Sequence, residues 1–207
     1  MTRLTLIRHG ETMWNADRRV QGQLESVLSE RGVKQAEALA ARISEEKFDA
    51  LYTSDLSRAY DTAAKIAAAT GADIRIDERL RERHYGVFQG LTWDEIKRRF
   101  PEDYARYKSA FPGMTIPGGE SVDDFARRVV GVLREIAARH AGGHAVVVAH
   151  GGLVDIAYRA ASGIELRAPR TYPLYNASLN RFRYDGGWQV EIFGDIEHLK
   201  SASVDDV

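Results

Sequence analysis

Val146-Val147-Val148-Ala149-His150-Gly151-Gly152 decides the architecture. Four consecutive apolar residues, three of them β-branched, match a strand covered on both faces, and such strands belong to parallel sheets flanked by helices. The histidine and glycines read as a tight turn into a helix predicted from Leu153 to about Ser162. Leu4-Thr5-Leu6-Ile7 repeats the pattern near the N-terminus and runs into Arg8-His9-Gly10-Glu11-Thr12. Asp49 to Tyr52 and Ile74 to Ile76 supply further short strands.

Helices fall between these strands. Ser29 reads as an N-cap, with Val33, Ala36, Ala40 and Ile43 at helical spacing behind it. An alanine-rich helix follows Thr53-Ser54-Asp55 and ends near Gly71, and a long one capped by Ser121 carries the stripe Phe125, Val129, Val132, Leu133 and Ile136. Ala177 to Tyr184, turned by Asp185-Gly186-Gly187 into Trp188 to Phe193, reads as a closing hairpin. This alternation predicts one three-layer α/β/α domain over 1–200 with a mostly parallel central sheet. Residues 84–120, aromatic, charged and punctuated by proline and glycine, read as a helical lid insertion over the carboxyl ends of the strands. The 201–207 stretch reads as a polar tail.

Composition narrows the function. A net charge of −1 over 207 residues offers neither a basic stripe for nucleic acid nor a polybasic anchor for a membrane. No run approaches the roughly 18 apolar residues of a spanning helix, and no secretory leader is visible. The chain has no cysteine, which excludes disulfides, thiolate metal sites and cysteine nucleophiles. A cytoplasmic protein is expected, with a small phosphorylated metabolite as its partner.

That last expectation comes from three loops. Arg8-His9-Gly10 follows the first strand, Arg58 opens the helix after the second, and His150-Gly151-Gly152 follows the Val146–Ala149 strand. Ligands of open α/β sheets bind outside the carboxyl ends of the strands, where helix N-termini also point N–H groups at anions. If these strands are neighbours, two histidines and two arginines converge on a phosphate. A neutral His9 could attack phosphorus, Arg8 and Arg58 could hold the equatorial oxygens, and His150 could add a donor as charge shifts. Glu82, in Leu80-Arg81-Glu82-Arg83-His84-Tyr85-Gly86, could supply the proton for the leaving oxygen, because a carboxyl group facing a dianion holds its proton more tightly. The ordinary alternatives are surface ion pairs, Arg58 with Asp55 or Asp61 and Glu82 with a neighbouring arginine.

These segments resemble the histidine phosphatase superfamily, in its phosphoglycerate-mutase-like branch. The matching stretches are LIRHGET at 6–12, Trp14-Asn15, Gln21-Gly22, LSERG at 28–32, SDLSRAYDTA at 54–63, LRERHYGVFQG at 80–90, PGGES at 117–121 and VVAHGG at 147–152. They span nearly the whole chain in family order. The resemblance implies His9 as the phosphorylated nucleophile, Glu82 as proton donor and acceptor, and Arg8, Arg58 and His150 as the phosphate clamp. It further implies substrate contacts from Asn15, Gln21, Gly22, Tyr85 and the Gly151-Gly152 turn, with no metal.

The same family contains phosphatases and 2,3-bisphosphoglycerate-dependent mutases. Mutases carry a lysine eleven residues after the acidic glutamate, where this chain has Trp93, and Gly-Asn-Ser after the second histidine, where it has Gly151-Gly152-Leu153. Glu82-Arg83-His84-Tyr85-Gly86 is nevertheless the form of true mutases. The balance favours a metal-independent phosphatase of small phosphomonoesters that needs no cofactor, with the mutase second and a non-catalytic phospho-ligand binder a remote third. Lys97-Arg98-Arg99 reads as a solvated helix face and His84, His140, His144 and His198 as surface or packing histidines. A monomer or a homodimer paired through the hairpin edge are both compatible with the chain.

Overall fold

The computed structural model describes residues 1–109 and 114–201. Strand β1 (Thr2–Arg8) leads into a single helical turn, α1 (Met13–Ala16), and then α2 (Glu30–Ser44). Ser29 caps α2 by accepting from the Gly32 N–H, as its position predicts. Next come β2 (Ala50–Thr53), α3 (Ser57–Thr70) and β3 (Ile74–Ile76). After two 3₁₀ turns, short helices α4 (Trp93–Arg99) and α5 (Pro101–Lys108) precede the long α6 (Val122–Arg139), capped by Ser121. Then follow β4 (His144–Ala149), α7 (Gly151–Ser162), the hairpin β5 (Leu179–Tyr184) and β6 (Trp188–Asp195), and α8 (Glu197–Ser201).

The six strands form one sheet in the order β3-β2-β4-β1-β5-β6. The first four are parallel, while β5 runs antiparallel to β1 and β6 antiparallel to β5. The hairpin explains the change of sense, since a short turn can only join antiparallel strands. β4, every residue of it buried, lies between β1 and β2 and carries two cores. Val147, Leu4 and Leu6 face the α6 stripe and α7, while Val146, Val148, Ile7 and Leu51 face α2, α3 and α8. Each fully buried valine of this strand contributes about 1.5–3 kcal/mol over an exposed one. That double burial is why the run is apolar without alternation.

Boundaries differ from the sequence reading by a residue or two. α7 begins at Gly151 rather than Leu153, because glycine is tolerated in a first turn held by the rest of the helix. α1 is marked by no periodicity, because a single turn closed by the Thr12–Asn15 capping box is too short to show one.

Residues 84–109 and 114–120 pack apart from the sheet around a third core of Val20, Phe88, Ile96, Met114 and Ile116. The remainder of the predicted 84–120 insertion, and the tail beyond Ser201, lie outside the described residues. No helix among the described residues is long and apolar enough to cross a membrane.

Candidate active site

The parallel register pairs Arg8 of β1 with Ala149 of β4, so the residues that follow, His9 and His150, leave the sheet side by side. Their ring centroids stand 5.3 Å apart, edge to face. His9 Nδ1 lies 2.7 Å from the Gly10 carbonyl oxygen. A carbonyl only accepts, so Nδ1 carries the proton and Nε2 keeps its lone pair. Burial, then the charges of Arg58 and Arg8, hold the His9 pKa well below the ordinary histidine range, and the Gly10 bond offsets this only in part. The ring is therefore neutral at physiological pH.

Arg58 is wholly buried in the first turn of α3, with no ion pair to an acid among the described residues. Its Nη1 and Nη2 donate to the Leu24 and Gly22 carbonyls at 2.9 and 2.6 Å, which fixes the guanidinium against the 22–24 loop. Asp55, one of the two acids of the alternative surface pair, binds Arg81 instead. Arg8 is fixed by donation from Nη1 to the Leu174 carbonyl. His150 is wholly buried, and neither ring nitrogen has a hydrogen-bond partner among the described residues. Burial, then Arg58, His9 and Arg8, depress its pKa strongly.

Glu82 reaches this cluster from the loop after β3. Its Oε1 accepts from the Arg83 N–H at 2.7 Å and its Oε2 from the Gly152 N–H at 2.9 Å. A Cβ on Gly152 would stand 2.2 Å from Oε1, so glycine there is a steric requirement of the carboxylate's position. Arg128 of α6 holds the same loop by donating to the Arg79 and Arg81 carbonyls, and its partner is Glu120.

A cavity of about 380 Å³ collects Arg8, His9, Arg58, Glu82 and Gly151 on its wall. Asn15, Gln21, Gly22 and Tyr85 line it as well, whereas His150 and Gly152 do not. Gln21 Oε1 is buried without a partner among the described residues. Tyr85 also packs against the third core. His140 and His144 serve packing, through Tyr52 and Thr5 respectively.

Several residues around the site are not marked as site residues by the sequence. Asn176 donates to the His9 carbonyl at 3.0 Å and also approaches Asn15 Oδ1. Thr62 accepts from the Gly10 N–H, tying the His9 loop to α3. Arg18, Arg19 and Trp93 line the cavity too. An asparagine 167 positions from the histidine it supports belongs to no local pattern.

Residues 4–196 match the family model of the histidine phosphatase superfamily, branch 1. The chain is 42% identical to the metal-independent phosphoserine phosphatase of Arabidopsis thaliana over 97% of this chain and 84% of that one. It is 40% identical to phosphoglycerate mutase-like protein 4 of the same plant, covering 95% of this chain and 86% of the relative. Among solved structures, Bacillus stearothermophilus YhfR superposes with a TM-score of 0.90 at 33% identity, over 96% of this chain and all of that one. The mycobacterial glucosyl-3-phosphoglycerate phosphatase Rv2419c gives 0.82 at 34% identity over 94% and 99%. With the paired histidines, the two arginines and the glutamate gathered at the strand ends, this likeness along the whole chain makes the protein a member of the histidine phosphatase superfamily, branch 1.

Proposed function

We propose that the protein hydrolyses small phosphomonoesters through a phosphohistidine on His9, without a metal. The observation that carries this is the Nδ1–Gly10 bond, which leaves a neutral, buried Nε2 on the wall of a cavity shared with Arg8, Arg58 and Glu82. In the first step Nε2 attacks phosphorus and the ester P–O bond breaks. The leaving oxygen takes its proton from the Glu82 carboxyl group. Arg8, Arg58 and the unpartnered His150 ring stabilise the equatorial oxygens, a class of interaction worth about a hundredfold to a thousandfold per donor. In the second step Glu82 accepts a proton from water, whose oxygen forms the new P–O bond. The P–N bond then breaks and its electron pair returns to Nε2.

Asn15, Gln21, Gly22, Tyr85 and the Gly151 backbone contact the substrate, and the described parts of 84–120 cover it. The Gly152 backbone also donates to Glu82. The phosphatase names among the relatives support hydrolysis. A 2,3-bisphosphoglycerate-dependent mutase is the second reading, favoured by the mutase-like relative and opposed by an indole at Trp93 where mutases carry a lysine.

The test incubates the protein with p-nitrophenyl phosphate, phosphoserine and 3-phosphoglycerate, with and without 2,3-bisphosphoglycerate. Phosphate release unaffected by EDTA and absent in His9→Ala is the expected result. Bisphosphate-dependent formation of 2-phosphoglycerate with little free phosphate would overturn it.

A further inference from the structure

Arg18 occupies a position built for glycine. The N–H of Arg18 donates to the Asn15 carbonyl and that of Arg19 to the Trp14 carbonyl, the paired bonds of a Schellman cap closing α1. The cap places Arg18 in the left-handed region, at φ 56°, where glycine carries no penalty and any other residue costs about 1 kcal/mol. A long cation here therefore needs a compensating use. The neighbouring Arg19 has a structural one, since its Nη1 donates to the Gly90 carbonyl and to Glu95. Arg18 is exposed, and its side chain makes no hydrogen bond or ion pair among the described residues. It lines the catalytic cavity.

Across from it stands an aromatic face. Arg19 forms an antiparallel bridge with Thr92, and the Val20 N–H donates to the Leu91 carbonyl at 2.9 Å. Arg18 and Trp93 are the chain neighbours of this bridged pair, and both line the cavity. The Trp93 ring stacks on Tyr107 with centroids 5.4 Å apart at 20°, which covers one face of the indole. It remains 39% exposed and lines the same cavity. A flat hydrophobic surface and an uncommitted cation thus sit side by side, outside the phosphoryl clamp but in the same cavity.

We propose that Arg18 and Trp93 form the leaving-group subsite, selecting phosphate esters of ring-bearing alcohols or phenols that carry a second anionic group. The ring lies on the Trp93 indole and the anion meets Arg18. This rests on the phosphatase reading and names its substrate class. Neither residue touches the reacting atoms, so the effect belongs to binding and specificity.

The test compares kcat/KM for 4-carboxyphenyl phosphate and phenyl phosphate in the wild type, Arg18→Gly, Arg18→Lys and Trp93→Ala. Arg18→Gly lowers the carboxylated-to-neutral ratio about fivefold, through KM, and the wild-type preference shrinks with added salt. Arg18→Lys restores most of the ratio. Arg18→Gly also melts at a higher temperature than the wild type, because glycine relieves the left-handed strain, so a folding defect cannot mimic the result. Trp93→Ala lowers kcat/KM for both aromatic esters about fivefold relative to glycerol 3-phosphate. An unchanged ratio in Arg18→Gly, with wild-type turnover intact, overturns the subsite while leaving the phosphatase. If the wild type releases phosphate from none of these esters, the phosphatase reading itself fails.

Discussion

Gly152 shows how narrowly the Glu82 carboxylate is held. The Gly152 N–H binds Oε2, and any side chain at this position would overlap Oε1. Gly152→Ala is therefore predicted to lower kcat by about tenfold to a hundredfold by displacing the Glu82 carboxylate, the proposed proton donor, while the melting temperature changes little. Steady-state rates beside a thermal melt check this, and unchanged kcat would show that Glu82 is not positioned by this contact. The buried histidines make a second prediction, on stability. His9 and His150 stay neutral in the folded state, whereas in the unfolded chain they protonate near pH 6.5. The unfolded state thus binds more protons below that pH, and stability falls as pH drops through it. The slope is about 1.4 kcal/mol per pH unit for each histidine, and the buried His144 and half-buried His198 add to it with the same sign. Denaturant titrations at pH 7.5 and 5.5 should show this loss, with a smaller one in His150→Gln. Equal losses in the two proteins would contradict the assignment to His150.

At the scale of elements, the helices and strands that bury a regular stripe were legible, and their caps were too. Ser29 and Ser121 cap where the pattern places them, and the β4 run is apolar because both its faces are covered. What remained hidden depends on contacts between distant loops. Asn176 behind His9, Arg128 under the Glu82 loop and the Arg19–Glu95 link carry no periodicity, because each joins segments far apart in the chain. The exposed face of α6 carries a glycine that does nothing for packing. Gly131 is exposed in mid-helix, and a Cβ there would meet no atom within 4 Å. Gly131→Ala should raise stability by about 0.5–1 kcal/mol through the unfolded chain's lost freedom, read as a shifted denaturation midpoint at unchanged activity. A lower midpoint would mean that the helix face is not free.

For the whole molecule, the strand order decides the chemistry. β1 and β4 are far apart in sequence and adjacent in the sheet, and only that adjacency brings His9 against His150. Local sequence could show that each histidine ends a strand but not that the strands are neighbours. Likewise the two antiparallel strands at one edge follow from the hairpin, yet their place beside β1 is a tertiary fact. The central claim concerns what this adjacency creates, a neutral His9 that takes up the phosphoryl group. The most direct measurement quenches a single turnover of a radiolabelled phosphomonoester with alkali and maps the label on the digested protein. An alkali-stable, acid-labile label on the peptide containing His9, lost in His9→Ala together with turnover, is the predicted result. Turnover without any bound label, or a label on another residue, would contradict the account.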